Sequence, residues 1–94
     1  MINKIDNYIK TLIEIRDSEY VASNLNLKGW VCNAIAHCYH LECCFLINEK
    51  LNSHSENFFT ANSAINRKFR DWGLDDVADI YNELRLLAKD YIIS

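Results

Sequence analysis

Proline is absent from this 94-residue chain, and glycine occurs only at positions 29 and 73. A chain so short of turn punctuators favours long helices joined by short connections. No charge of one sign dominates: ten basic and thirteen acidic residues give a formal net charge of −3. That balance excludes a global pull towards nucleic acid or anionic lipid, though not a local basic patch. The N-terminal Met1-Ile-Asn-Lys-Ile-Asp6 mixes apolar with polar residues and lacks the apolar core of a signal peptide. No run free of polar residues is long enough to span a membrane. The expectation is a cytoplasmic protein without membrane contact. Paired CxxC spacing is missing too. The cysteines stand at 32, 38, 43 and 44 on one expected helix, where reduced thiols acting as small packing groups are the default. There is no repeat, linker or low-complexity segment.

What is present is apolar mass. Half of the residues are hydrophobic, enough for one packed core and too few residues for two, so 1–94 reads as a single domain. The densest stretch runs Trp30-Val-Cys-Asn-Ala-Ile-Ala-His37-Cys-Tyr39-His40-Leu-Glu-Cys-Cys44-Phe-Leu46-Ile47. It is too apolar for a surface helix and reads as a central helix touching neighbours on most sides.

Periodicity predicts four helices. Ile5, Ile9, Leu12, Ile13 and Tyr20 recur at helical spacing and place the first over 3–22. The second runs from Lys28-Gly29-Trp30 to about Lys50, stopped by Asn52-Ser53. Phe58, Ala61, Ile65 and Phe69 stripe the third, from Glu56 to Asp71, with Arg67, Lys68 and Arg70 near its negative end. Past Gly73, the fourth covers Asp75 to Ile92, with Val77, Ile80, Leu84, Leu87, Ala88 and Tyr91 as its buried seam. Short connections make consecutive helices neighbours, so the expected fold is an all-α, antiparallel four-helix up-and-down bundle.

Few residues carry chemistry. His37, His40 and Cys44 share one helix face at spacings of three and four. They supply at most three zinc ligands, and helix-packing groups satisfied by hydrogen bonds are the favoured reading, so no metal or cofactor is expected. His54, in Ser53-His54-Ser55, is placed to brace the start of the third helix, with either serine accepting a free backbone N–H. A Ser–His hydrolytic dyad there lacks the nucleophile turn such chemistry needs. Arg67, Lys68 and Arg70 form the candidate RNA-binding set, and a solvated surface balanced by Asp71, Asp75, Asp76 and Asp79 is the competing reading. Trp30 and Trp72 flank helices, where large aromatics form core edges or dimer contacts.

Three motifs together resemble the HEPN domains, small helical proteins of prokaryotes often found beside minimal nucleotidyltransferases. In the second helix, Ala34-Ile35-Ala36-His37-Cys38-Tyr39-His40 is similar to the family's small-Tyr-Tyr-Ala-x-Phe-His pattern. Tyr39 and His40 stand at the Phe-His pair, whereas Ile35, Ala36 and His37 depart from it. Ser53-His54-Ser55-Glu56 resembles the Ser-His-Ser-Gly turn, except at its last position. Leu84-Arg85-Leu-Leu-Ala88-Lys89-Asp90-Tyr91 resembles the closing Leu-Arg-x-x-Ala-Asp-Tyr, with one residue inserted. The resemblance implies His40, Tyr39, His54, Arg85, Asp90 and Tyr91 as family-motif or interaction residues.

HEPN ribonucleases carry an arginine followed a few residues later by a histidine, which exchanges a proton while arginine stabilises the phosphate. Here Arg85 is followed by no histidine, and Tyr91, with a reference pKa of roughly 10, is a poor substitute at neutral pH. The resemblance therefore implies a non-catalytic member: a homodimer serving protein–protein interaction, possessing a nucleotidyltransferase or toxin as partner in a toxin–antitoxin or defence system. The alternatives are an RNA-binding or RNA-cleaving HEPN-type protein, and a small immunity protein that covers a toxin.

Overall fold

The structure, a computed structural model, describes residues 2–92. Among these the chain is all-α: α1 (Ile2–Arg16), α2 (Glu19–Ala22), α3 (Leu25–Ile47), α4 (Ser53–Thr60), α5 (Asn62–Asp71) and α6 (Asp75–Ala88), then a 3-10 turn (Lys89–Tyr91). The four expected helices are thus subdivided, and the plain four-helix up-and-down bundle is corrected to a six-helix arrangement. Local capping explains two of the changes. Ser18 accepts a hydrogen bond from the Val21 N–H and starts a new helix, so 3–22 breaks after Arg16. Asn24 accepts from the N–H groups of Asn26 and Leu27 and starts α3 three residues before Lys28. The third expected helix breaks at Ala61, whose ψ of 48° leaves the helical region.

Two left-handed residues end helices. Gly73, at φ +73°, lets its own N–H reach the Arg70 carbonyl while the Leu74 N–H reaches that of Phe69. This pair of hydrogen bonds closes α5, and glycine adopts the required φ without a steric penalty. Asn48, at φ 56°, performs the same role after α3, where the Glu49 N–H returns to the Cys44 carbonyl.

α3 is the axis of the molecule. Its 23 residues span about 34 Å, close to the 37 Å long dimension of the whole. By length and composition α3 could cross a membrane, yet Leu27, Val31, Ala34, Cys38 and Leu41 are buried against the other helices. α1 lies along one side of it through Ile5, Ile9 and Leu12, while α4 and α6 close the core with Phe58, Phe59, Tyr81 and Leu84. The Tyr81 hydroxyl donates to the Phe58 carbonyl at 2.6 Å, so the largest buried side chain keeps its polar tip satisfied. Trp30 and Trp72 form a core edge within the chain: Trp30 packs edge-on against Phe69 and 6.2 Å from Trp72.

The other side of α3 faces water, contrary to the expectation of neighbours on most sides. Leu25, Gly29, Cys32, Ala36, Tyr39, Cys43, Leu46 and Ile47 are all exposed. Gly29 is unusual among them. A glycine inside a helix costs about 0.8–1.0 kcal/mol relative to alanine, and a Cβ at this position would meet nothing within 4 Å. Nothing inside the monomer calls for its absence.

Candidate functional site

The chemistry-bearing residues of the sequence separate into three places. The first is the seam between α3 and α4. His40 accepts the Asn52 N–H at Nε2 over 3.1 Å, which fixes that nitrogen as the unprotonated one. Cys44 lies 3.5 Å from the same nitrogen and its Sγ–H also reaches the Lys50 carbonyl. Lys50 Nζ donates to the Asp90 carbonyl and the Leu51 N–H to that of Tyr91, tying the 48–52 loop to the C-terminal 3-10 turn. His40, Asp90 and Tyr91 therefore belong to one latch, in which the two C-terminal residues act through backbone carbonyls.

His37 is turned the other way. Its Nδ1 stands 2.7 Å from the Ser55 hydroxyl and its ring stacks on Phe58 at 4.4 Å. Burial lowers its pKa from the usual histidine value, and electrostatic repulsion from His40 and His54 lowers it further. The three residues weighed as zinc ligands, His37, His40 and Cys44, do not converge, and among the described residues no group of three His, Cys, Asp or Glu side chains is placed to hold a metal ion. His37 and Ser55 have hydrolase-like spacing, but Ser55 is 1 % exposed, too enclosed to meet a substrate. The helix cap is Asn52, whose Oδ1 accepts the Ser55 N–H at 2.8 Å, in place of Ser53 or Ser55. His54 itself is exposed.

The second place is the basic set. Arg70 pairs with Asp79 at 2.9 Å and Asp75 at 3.6 Å, and donates to Asn66. Lys68 Nζ sits 4.1 Å above the Trp30 ring, a cation–π contact. Arg67 lines a shallow concavity of about 340 Å³ with Lys68, Asp71 and Trp72. Two of the three cations are thereby engaged with their own chain, and an acidic residue shares the concavity. Arg85 stands on α6. Its Nε donates to the Phe59 carbonyl at 3.3 Å, bracing α6 against α4.

The third place is the outer face of α3. Leu25 is 84 % exposed, Leu46 66 %, Ile47 65 % and Tyr39 48 %. These four residues present on the order of 500 Å² to water, the size of the largest apolar patch of an ordinary monomer, which is often functional. Between Lys28 and Glu49 the outward positions carry no charge. Sequence reasoning identified Tyr39 here and missed the rest. The signal was the alternating spacing of four and three residues along 25, 29, 32, 36, 39, 43 and 46, concealed by apolar residues on the buried side as well.

Cys38 and Cys44 are buried on the inner side, and burial, with Glu42 nearby, pushes the Cys38 thiol up to about 12. Cys32 and Cys43 are exposed on the outer side. At the α1 boundary Glu42 meets Asp6, and the hydrogen bond between the carboxyls, then burial, raises the Glu42 pKa. Glu42 Oε2 is shielded from solvent and has no hydrogen-bond partner among the described residues.

Comparison with protein-family models, curated proteins and solved structures finds no match to this chain.

Proposed function

We propose that this protein is a non-catalytic, HEPN-like interaction module that binds protein through the outer face of α3. The carrying observation is the exposed apolar row running from Leu25 to Ile47 on the longest helix. Leaving such a surface in water is unfavourable, and covering it with a partner recovers that free energy. The remaining polar residues support the same reading. His37, His40, Ser55 and Arg85 brace one helix against another, and the arginine has no histidine following it. By resemblance, the partner is a nucleotidyltransferase or toxin of a toxin–antitoxin or defence system, in the cytoplasm, or a further copy of the chain.

The test is a nuclease-treated pull-down of tagged protein from its native cells, run beside Leu46→Glu. A stoichiometric protein, whether another chain or an untagged copy, retained by the wild type and lost by the variant is expected. Enriched RNA without protein, or equal capture by both, would overturn the reading. RNA cleavage abolished by Arg85→Ala would overturn its non-catalytic part.

A further inference from the structure

The outer face of α3 is self-complementary. Its exposed row follows the four–three spacing that keeps a helix seam facing a second helix at a shallow crossing angle. Within the row, small and large residues are distributed unevenly: Gly29, Cys32 and Ala36 lie towards the N-terminal half, and Tyr39, Cys43 and Leu46 towards the C-terminal half. An antiparallel copy reverses that order, so Leu46 meets Gly29 and Tyr39 meets Ala36, the two exposed cysteines meet each other, and Leu25 falls at the end of the contact.

We infer that two copies of this chain pair through antiparallel α3 helices, with Gly29 against the partner's Leu46, Cys32 against the partner's Cys43, and Ala36 against the partner's Tyr39. The inference rests on the reading of this face as an interaction surface and names its occupant. The two-fold axis then passes between the levels of His37 and Cys38, and each contact occurs twice, as an isologous interface requires. Gly29 acquires a reason: its open Cβ position, empty in the monomer, receives the partner's Leu46.

Area points the same way. A standard interface takes about 800 Å² from each partner. The four large residues provide on the order of 500 Å², and the small residues between them, with the Lys28 and Asn33 rims, extend the contact along the helix. Lys28 arrives beside the C-terminal end of the partner's α3, just before the partner's Glu49, and the opposed helix dipoles are favourably placed. Sliding one copy by a heptad towards the N-termini would leave Leu46 and Ile47 uncovered. A parallel pair would set Leu46 on Leu46 and Gly29 on Gly29, crowding one end and leaving the other hollow.

The four cysteines allow a direct test, because Cys38 and Cys44 are buried and only Cys32 and Cys43 are open to a thiol reagent. Sedimentation equilibrium across the micromolar range is expected to show a rise from 11.0 kDa to about twice that mass. Mild oxidation with diamide should then link the wild type into a disulfide-bonded dimer. Cys32→Ser alone and Cys43→Ser alone should each lose that product, and mixing the two variants should restore it. Cross-linking of either single variant with itself would contradict the antiparallel register, as would absence of product from the mixture. Gly29→Leu should weaken dimerisation at least tenfold while the monomer still folds, and unchanged dimerisation would contradict the Gly29 contact. A chain that stays at 11.0 kDa throughout overturns the inference. In that case, loss of a captured partner in Leu46→Glu would still support the broader reading, so the two fail separately.

Discussion

The inner and outer sides of α3 are built from nearly the same residue types, yet only one is buried. Each carries leucine, alanine and two cysteines; Leu41, Ala34, Cys38 and Cys44 are inside, while Leu46, Ala36, Cys32 and Cys43 are outside. The difference is one of partners. The inner side meets α1, α4 and α6, whereas none of the described residues covers the outer side. An apolar surface placed with helical regularity and left uncovered is a property of the monomer alone, and association is the simplest way to remove it from water.

The largest expected effect separates the two sides directly. Leu41→Ala should destabilise the fold by about 2–5 kcal/mol, the cost of lost burial plus a cavity. Leu46→Ala in dilute solution should stay within about 0.5 kcal/mol of wild type, because its side chain is already in water. Urea denaturation at low protein concentration checks both, and equal losses would erase the distinction.

A smaller effect sharpens the inner side. Tyr81→Phe leaves the buried Phe58 carbonyl without its donor and should cost about 1–2 kcal/mol. A loss near zero would mean that water reaches this carbonyl.

Next comes pH. The His37 pKa is depressed in the folded state, so the unfolded chain binds the proton more readily. Its stabilising contribution is present above the unfolded value of about 6.5 and is lost as pH falls through the lower folded value. Denaturation midpoints should therefore decline on acidification below that point, and His37→Gln should flatten the decline. A variant with the wild-type profile would assign the acid sensitivity elsewhere.

The smallest effect lies at the margin between the sides. Glu42 has a raised pKa, so its favourable share exists at acid pH and is lost as pH rises through the folded value. Glu42→Gln keeps a donor for Asp6 without a second charge and should stabilise by less than about 1 kcal/mol at neutral pH. The gain should shrink in acid, and a neutral-pH loss would show that the two carboxyls do not repel.

Helical content and the central place of residues 30–47 were legible in the sequence, because apolar periodicity and the lack of proline act locally. Boundaries were less so. Asn24 and Asn52 carry capping chemistry, but neither stands beside a strong periodic signal. The break at Ala61 has no signal at all, since alanine is the best helix former and nothing in the sequence marks it as a stop. The partners of His40 and His37 were hidden because one is a backbone N–H twelve positions away and the other a serine eighteen away. The outer face was the deepest omission. Continuous apolarity reads as burial on every side, and only the folded chain shows which side lacks a neighbour.

The most direct measurement uses the cysteines as paired reporters of the two sides: alkylation of each thiol in intact native cells, compared with the purified protein at high dilution. Cys38 and Cys44 should be protected in both settings, being buried in the monomer itself. Cys32 and Cys43 should react freely on dilution and be protected in cells, where a partner or second copy covers α3. Equal reactivity of Cys32 and Cys43 in the two settings would contradict the claim that this face is an interaction surface.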